Sequence, residues 1–154
     1  MSRPINILCV GKAKPNSPEK AIFDKYVHRC AFDIRLTELN ESKAKDPKTA
    51  MLAEAKNLQE KLPKQAFTLI LDERGRDLNS PELAKILDQA FFNQKTPTFI
   101  IGGSFGIDPN FRQTANIAIR FGRFVWPHLL IRGMLAEQIY RAQTILDRHP
   151  YHRM

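Results

Sequence analysis

Four times in this chain a short apolar run is followed by a loop and then by a helix-starting proline. Ile5 to Val10 leads to Ser17-Pro18, and the alternating Ile34, Leu36 and Leu39 lead to Asp46-Pro47. Phe67 to Leu71 leads to Ser80-Pro81, and Thr98 to Ile101 leads to Pro109. A serine or aspartate at the cap accepts a hydrogen bond from a free first-turn amide, and proline in that turn has no amide to leave unpaired. Runs that are apolar throughout suit strands buried on both faces. Strand then helix, repeated in this way, predicts a parallel sheet flanked by helices, an α/β fold.

The helices have readable faces. The first turns Ile22, Tyr26, Val27 and Cys30 inward. The second turns in Met51, Ala55, Leu58 and Leu62 and ends at Pro63. The third turns in Leu83, Ile86, Leu87, Ala90 and Phe91. A short helical segment from about Pro109 and a fifth strand from Ile117 to Phe121 follow. A long helix from Leu129 to Leu146 closes the chain, with Ile131, Leu135, Ile139, Ala142 and Leu146 as its stripe and Glu137 and Arg141 as an i, i+4 pair. The Ile34 strand alternates and belongs near an edge. Glu41 to Lys48 and Asp72 to Asn79 are polar and read as loops. No repeat or linker divides the sequence, so residues 1–154 read as one domain, long enough to build a core without staples.

Cys9 and Cys30, the only cysteines, lie in apolar segments and read as small core residues. They supply neither a disulfide framework nor a zinc site, and no metal is expected. No apolar run reaches membrane-span length and the first residues lack a signal pattern, so a cytoplasmic protein with no membrane partner is expected. The formal charge of +8 favours a polyanion. From Pro109 onward there are seven arginines and no lysine, with Glu137 and Asp147 the only acids. Guanidinium binds phosphate in a bidentate fork, so this segment is expected to carry affinity for nucleic acid.

Ligands of open α/β sheets bind at the carboxyl ends of strands, here the Asp72–Asn79 and Gly102–Gly106 loops. Gly102-Gly103 permits close backbone approach, although a glycine pair alone is more often a tight turn. It is neither G-x-G-x-x-G nor a Walker loop, which argues against nicotinamide and nucleoside triphosphate cofactors. His128 after proline, taken alone, reads as structural, and Tyr151-His152 at the terminus as a frayed end. The residues by themselves describe a basic α/β domain with a glycine-lined pocket and RNA affinity, its reaction open.

Five stretches taken together carry a resemblance. Leu71-Asp72-Glu73-Arg74-Gly75 is followed by Ile100-Ile101-Gly102-Gly103-Ser104-Phe105-Gly106. Then come Trp126-Pro127-His128 with Arg132 and the run Leu135-Ala136-Glu137-Gln138-Ile139-Tyr140-Arg141-Ala142, and last Pro150-Tyr151-His152-Arg153. In this order and at this length the chain resembles the RlmH family, the small bacterial SPOUT methyltransferases that methylate N3 of a pseudouridine in 23S rRNA. The resemblance implies a C-terminal trefoil knot, a homodimer, and S-adenosylmethionine as cofactor. By position, the cofactor contacts fall on Leu71, Gly102, Phe121, Gly122, Arg123, Phe124, Val125 and Trp126. The tail supplies the catalytic candidates: His152 for the proton, Arg153 or Arg132 for the developing anion, and Tyr151 as a stacking surface. Val125-Trp126 departs from the family pattern, which usually has small or hydroxyl residues in this loop. The alternative from another class is a ribosome-binding factor with the same fold and no transfer activity.

Overall fold

The computed structural model describes residues 2–153. Its order is β1 (Pro4–Val10), α1 (Pro18–Arg29), β2 (Asp33–Leu39), α2 (Pro47–Lys61), β3 (Ala66–Asp77), α3 (Ser80–Phe92), β4 (Thr96–Ile101), α4 (Pro109–Gln113), β5 (Ile117–Arg120) and α5 (His128–Leu146). All five strands are parallel, in the order β2-β1-β4-β3-β5. β2 is an edge, as its alternating pattern predicts.

The caps explain where the helices begin. Ser17 accepts from Lys20 N–H, and Asp46 accepts from Thr49 N–H. α3 is capped one residue earlier than the sequence suggests. Asn79 forms a reciprocal capping box with Glu82, placing Ser80 and Pro81 in the first turn.

Strand alternation divides the core into two layers. Ile5, Ile7 and Cys9 face one side with Leu69, Phe99 and the inward residues of α1, α3 and α5. Leu8, Val10, Ile70 and Ile100 face the other with Leu58 of α2 and Phe111 of α4. Two helix faces are wider than predicted: Tyr26, Val27 and Cys30 of α1 and Ala55, Leu58 and Leu62 of α2 pack on the core as expected, and other residues join them. Phe23, not Ile22, is the buried residue of α1, and α2 buries Ala50, Glu54 and Leu58. The buried face of α2 thus extends to one side and takes a glutamate into the protein.

The largest departure is at Asp72–Asp77, expected as loop. β3 continues through it, pairing Leu71 with Ile119, shifting register, then pairing Arg76 with Ile119 and Asp77 with Arg120. The intervening residues form a wide bulge, and bulges of this kind re-aim side chains beside functional sites. Arg120 locks the far side by donating Nε–H and Nη2–H to the two carboxylate oxygens of Asp77 at 2.8 and 2.9 Å. Gly75 makes the bulge possible: a Cβ there would lie 2.6 Å from the backbone N and C of Ile119. Because backbone cannot rotate away, Gly75→Ala should cost about 1–3 kcal/mol, the usual range for overpacking. Urea unfolding measures this; a loss under about 0.5 kcal/mol, the size of a neutral surface change, would mean the bulge yields freely.

Candidate active site

At the carboxyl ends of β3, β4 and β5 lies a cavity of about 610 Å³, within the range of small-ligand sites. Leu71 and Gly102 line it, as do Phe121, Gly122, Phe124, Val125 and Trp126, so seven of the eight residues expected to hold a cofactor converge there. Arg123 does not line it; its side chain is exposed.

The glycine loop folds back on itself. Gly103 and Gly106 form an antiparallel bridge, with Gly106 N–H donating to Gly103 O at 3.0 Å. Gly106 has φ +86°, a conformation side chains resist. A Cβ on Gly102 would meet the carbonyl of Gly106 at 2.9 Å. The glycine pair therefore serves the loop's own closure, and the loop then presents bare backbone to the cavity.

The opposite wall is the β5–α5 loop. Trp126 donates its Nε1–H to Phe121 O at 2.7 Å and packs edge-on against Phe124. The bulky indole thus braces the loop. Among the described residues, no protein acceptor receives a hydrogen bond from the Gly122–Val125 amides. Free main-chain donors, a bare glycine loop and apolar side walls fit a ligand with a heterocycle.

The catalytic candidates do not gather in this cavity. Arg132 is buried, donating to Glu38 at 2.8 Å and to the carbonyls of Val10 and Gly11 at 3.3 and 2.8 Å; only its Nε lacks a partner. Its guanidinium ties the start of α5 to the ends of β1 and β2. It is a positioning group within the chain, not a free anion binder.

The tail is docked, contrary to the default of fraying. Glu137 Oε1 accepts from Arg141 Nε at 2.9 Å and from the Tyr151 hydroxyl at 3.0 Å. Arg141 also lies 4.8 Å over the Tyr151 ring and meets His152 Nδ1 at 3.3 Å. Sequence reasoning paired Glu137 with Arg141 by spacing but missed that the pair holds the tail. His152 lines a second, larger, mostly apolar groove of about 860 Å³ beside α1 and α5, with Ile22, Tyr26, Leu78 and Met134. We assign ligand chemistry to the smaller cavity because it sits at the strand ends, with free backbone groups. The two hollows share Ile119, Arg120, Phe121 and Gly122.

The arginine-rich segment is not the free basic surface that its composition suggests. Arg112 pairs with Asp72, Arg120 with Asp77, Arg132 with Glu38 and Arg141 with Glu137. Among the described residues only Arg123, Arg148 and Arg153 of that segment lack an ion pair.

The model of the family described as "Predicted SPOUT methyltransferase" matches residues 4–152. The chain belongs to the SPOUT methyltransferase family. Similar proteins include ribosomal RNA large subunit methyltransferase H of Ruegeria sp. (strain TM1040), 41% identical over 97% of this chain and 99% of that protein. The protein of the same name from Paracoccus denitrificans is 43% identical over 96% of this chain and 97% of its own. A crystal structure of a methylase family protein from Neisseria gonorrhoeae superposes with a TM-score of 0.58 at 12% identity, covering 98% of this chain and 96% of that one, a likeness of fold alone. Membership makes this a methyltransferase and implies a methyl donor. The SPOUT knot is compatible with the route of the chain, which leaves β5 at one edge and returns through Phe121–Pro127 to the β1 side. Among the described residues no helix is long and apolar enough to cross a membrane, and no cluster of three His, Cys, Asp or Glu could hold a metal ion.

Burial and the Glu137 bond push the Tyr151 hydroxyl up to about 12. Tyr151 therefore stays protonated and donating near neutral pH, which removes it as a proton acceptor. A group whose pKa rises on folding contributes fully below its ordinary value, and its contribution is lost as pH climbs through the raised one. The tail clamp should hold up to about pH 10 and release towards 12. The tyrosinate absorbance difference between the native protein and Tyr151→Phe should have its midpoint near 12; a midpoint near 10 would mean the hydroxyl is free in solution.

Proposed function

We propose that this protein transfers a methyl group from S-adenosylmethionine to N3 of a pseudouridine in 23S rRNA of the large ribosomal subunit, acting as a cytoplasmic homodimer. The observation that carries the reading is near full-length similarity to proteins named ribosomal RNA large subunit methyltransferase H, joined to a glycine-walled cavity of suitable size. Leu71, Gly102 and the Phe121–Trp126 loop would hold the cofactor, the loop amides reading the adenine edge. When bound, that cofactor supplies an electrophilic methyl on a sulfonium and needs little activation.

The chain's own residues must act on the acceptor. An imide N3–H is a weak acid, and its nitrogen attacks only once the proton leaves. In this reading His152 would take the proton and Arg153 would face the developing anion, while Tyr151, its hydroxyl held by Glu137 and its ring under Arg141, would fix the tail that carries them. Arg132 acts indirectly, holding α5 against the strand ends. Since the tail lies by the second groove and not in the cofactor cavity, the acceptor site is best completed by a tail from a second copy. The exposure of Phe124 and Val125, at 79% and 78%, supports this: both sit on the loop that would hold the cofactor and are left largely uncovered by their own protomer.

S-adenosylmethionine should raise the melting temperature by mass action, while NAD and ATP should not. Truncation before Tyr151 should keep that shift while methyl transfer to ribosomes lacking the modification falls by orders of magnitude. Transfer retained by the truncated protein would refute the tail's role; rRNA binding without transfer by the full chain would favour the non-catalytic alternative.

Light scattering at micromolar concentration should give twice the chain mass of 17.7 kDa. A monomer that transfers methyl groups at the full rate would refute the shared site.

A further inference from the structure

A group of cations without ion pairs lies on the two loops that follow β1 and β2. The β1–α1 loop carries Lys12 and Lys14, and the β2–α2 loop carries Lys43 and Lys45, with Lys48 just inside α2. All five are exposed, and none has a carboxylate within ion-pairing distance among the described residues.

The two loops leave the sheet side by side, because β1 and β2 are paired in register to their ends and Gly11 N–H donates to Leu39 O at 2.6 Å. The acids close to them face inward, towards backbone. Glu38 accepts from Ala13 N–H at 2.7 Å, and the buried Glu54 accepts from Ser42 N–H at 3.0 Å. Asp46 is committed to capping Thr49. Glu41 is the exposed acid left among them. These carboxylates pin the loops from beneath while the lysines project outward. Such preorganisation removes ordering entropy from the cost of binding.

The lysine loops also adjoin the cofactor cavity. A Cβ on Gly103 would stand 3.0 Å from Val10 at the end of β1 and 3.3 Å from Glu54 Oε2. Glu54 therefore touches the lysine-bearing loop with one oxygen and the glycine loop with the other.

We propose that the paired β1–α1 and β2–α2 loops are the surface on which this enzyme docks RNA, their lysines gripping phosphates of the strand that flanks the target base. This rests on the proposed function, since it assumes that the polyanion is the methyl acceptor. It assigns the affinity to lysines outside the arginine-rich third. Lysine suits such a surface, because a mobile point charge follows a phosphate backbone without demanding a fixed bidentate geometry.

The test compares K12Q/K14Q/K43Q/K45Q with a charge-matched control, K61Q/K64Q/K85Q/K95Q, whose lysines lie away from these loops. Binding to ribosomes that lack the modification, the acceptor of the transfer assay, is measured across salt. Each phosphate contact adds about 0.7–0.9 to the slope of log affinity against log salt, so losing four should lower the slope by roughly 3. Affinity near 0.1 M salt should fall on the order of 100-fold, with the S-adenosylmethionine melting shift intact. The control set should leave the slope within about one contact of the wild type. The pairs K12Q/K14Q and K43Q/K45Q, each expected to remove about half of the effect, serve if the quadruple variant does not fold. An unchanged slope, or an equal fall in the control set, overturns the proposal. Wild-type protein that binds rRNA through these lysines yet transfers no methyl group sinks the proposed function and leaves the docking surface standing; wild-type protein that does not bind rRNA sinks both.

Discussion

The buried guanidinium of Arg132 is the joint on which this arrangement turns. It comes from the first turns of the last helix, yet its partners belong to the first two strands: Glu38 and the carbonyls of Val10 and Gly11. A buried charge is tolerated only when paired and hydrogen-bonded, and once it is, removing one partner strands the other. Glu38 accepts in turn from Ala13 N–H. A single ion pair thus fixes the end of β1, the loop that follows it and the entry of α5. The Phe121–Pro127 loop must then span from β5 to this anchor, across the strand ends where the smaller cavity lies.

Much of the fold was legible because its signals are local. Proline after a capping side chain marks a helix start whatever surrounds it, and the apolar run of Ile5–Val10 can be only a strand or a core helix segment. The failures come from non-local causes. Asp72–Asp77 is polar, with a central glycine, and nothing within it says that β5 will pair with it. Glu54 has an ordinary helix position; its burial depends on how α2 seats on the sheet and on the Ser42 amide it meets there. For the site, the glycine loop and the Phe121–Trp126 loop were visible through family likeness. The sequence left two reasons for the glycines, a tight turn or close approach to a ligand, and Gly106 lies near enough to Gly102 that the turn alone excludes a side chain.

The arginines teach a related lesson about composition. A segment with seven arginines and two acids looks like a field of free charge, yet four of them find carboxylates, three of these outside the segment: Glu38, Asp72 and Asp77. The lysines of the two amino-terminal loops are fewer and form no conspicuous run in the sequence. They stay free because the nearby acids Glu38 and Glu54 are engaged by backbone amides. Net charge sets the sign of long-range attraction, but the partnering of each group decides which surface carries it.

The two hollows of the molecule have a wall in common, made of Ile119 to Gly122, and that wall ends in the loop tied by Trp126 to Phe121. A partition of this kind has two sides and one position at a time. Anything that settles in the apolar groove and moves Phe121 must change the shape offered to a ligand at the strand ends. Linkage requires the effect to be reciprocal, with each occupant altering the other's affinity by the same factor. The groove beside α5 is in this sense the far side of the cavity at the strand ends, and the two are divided by the thickness of one strand end.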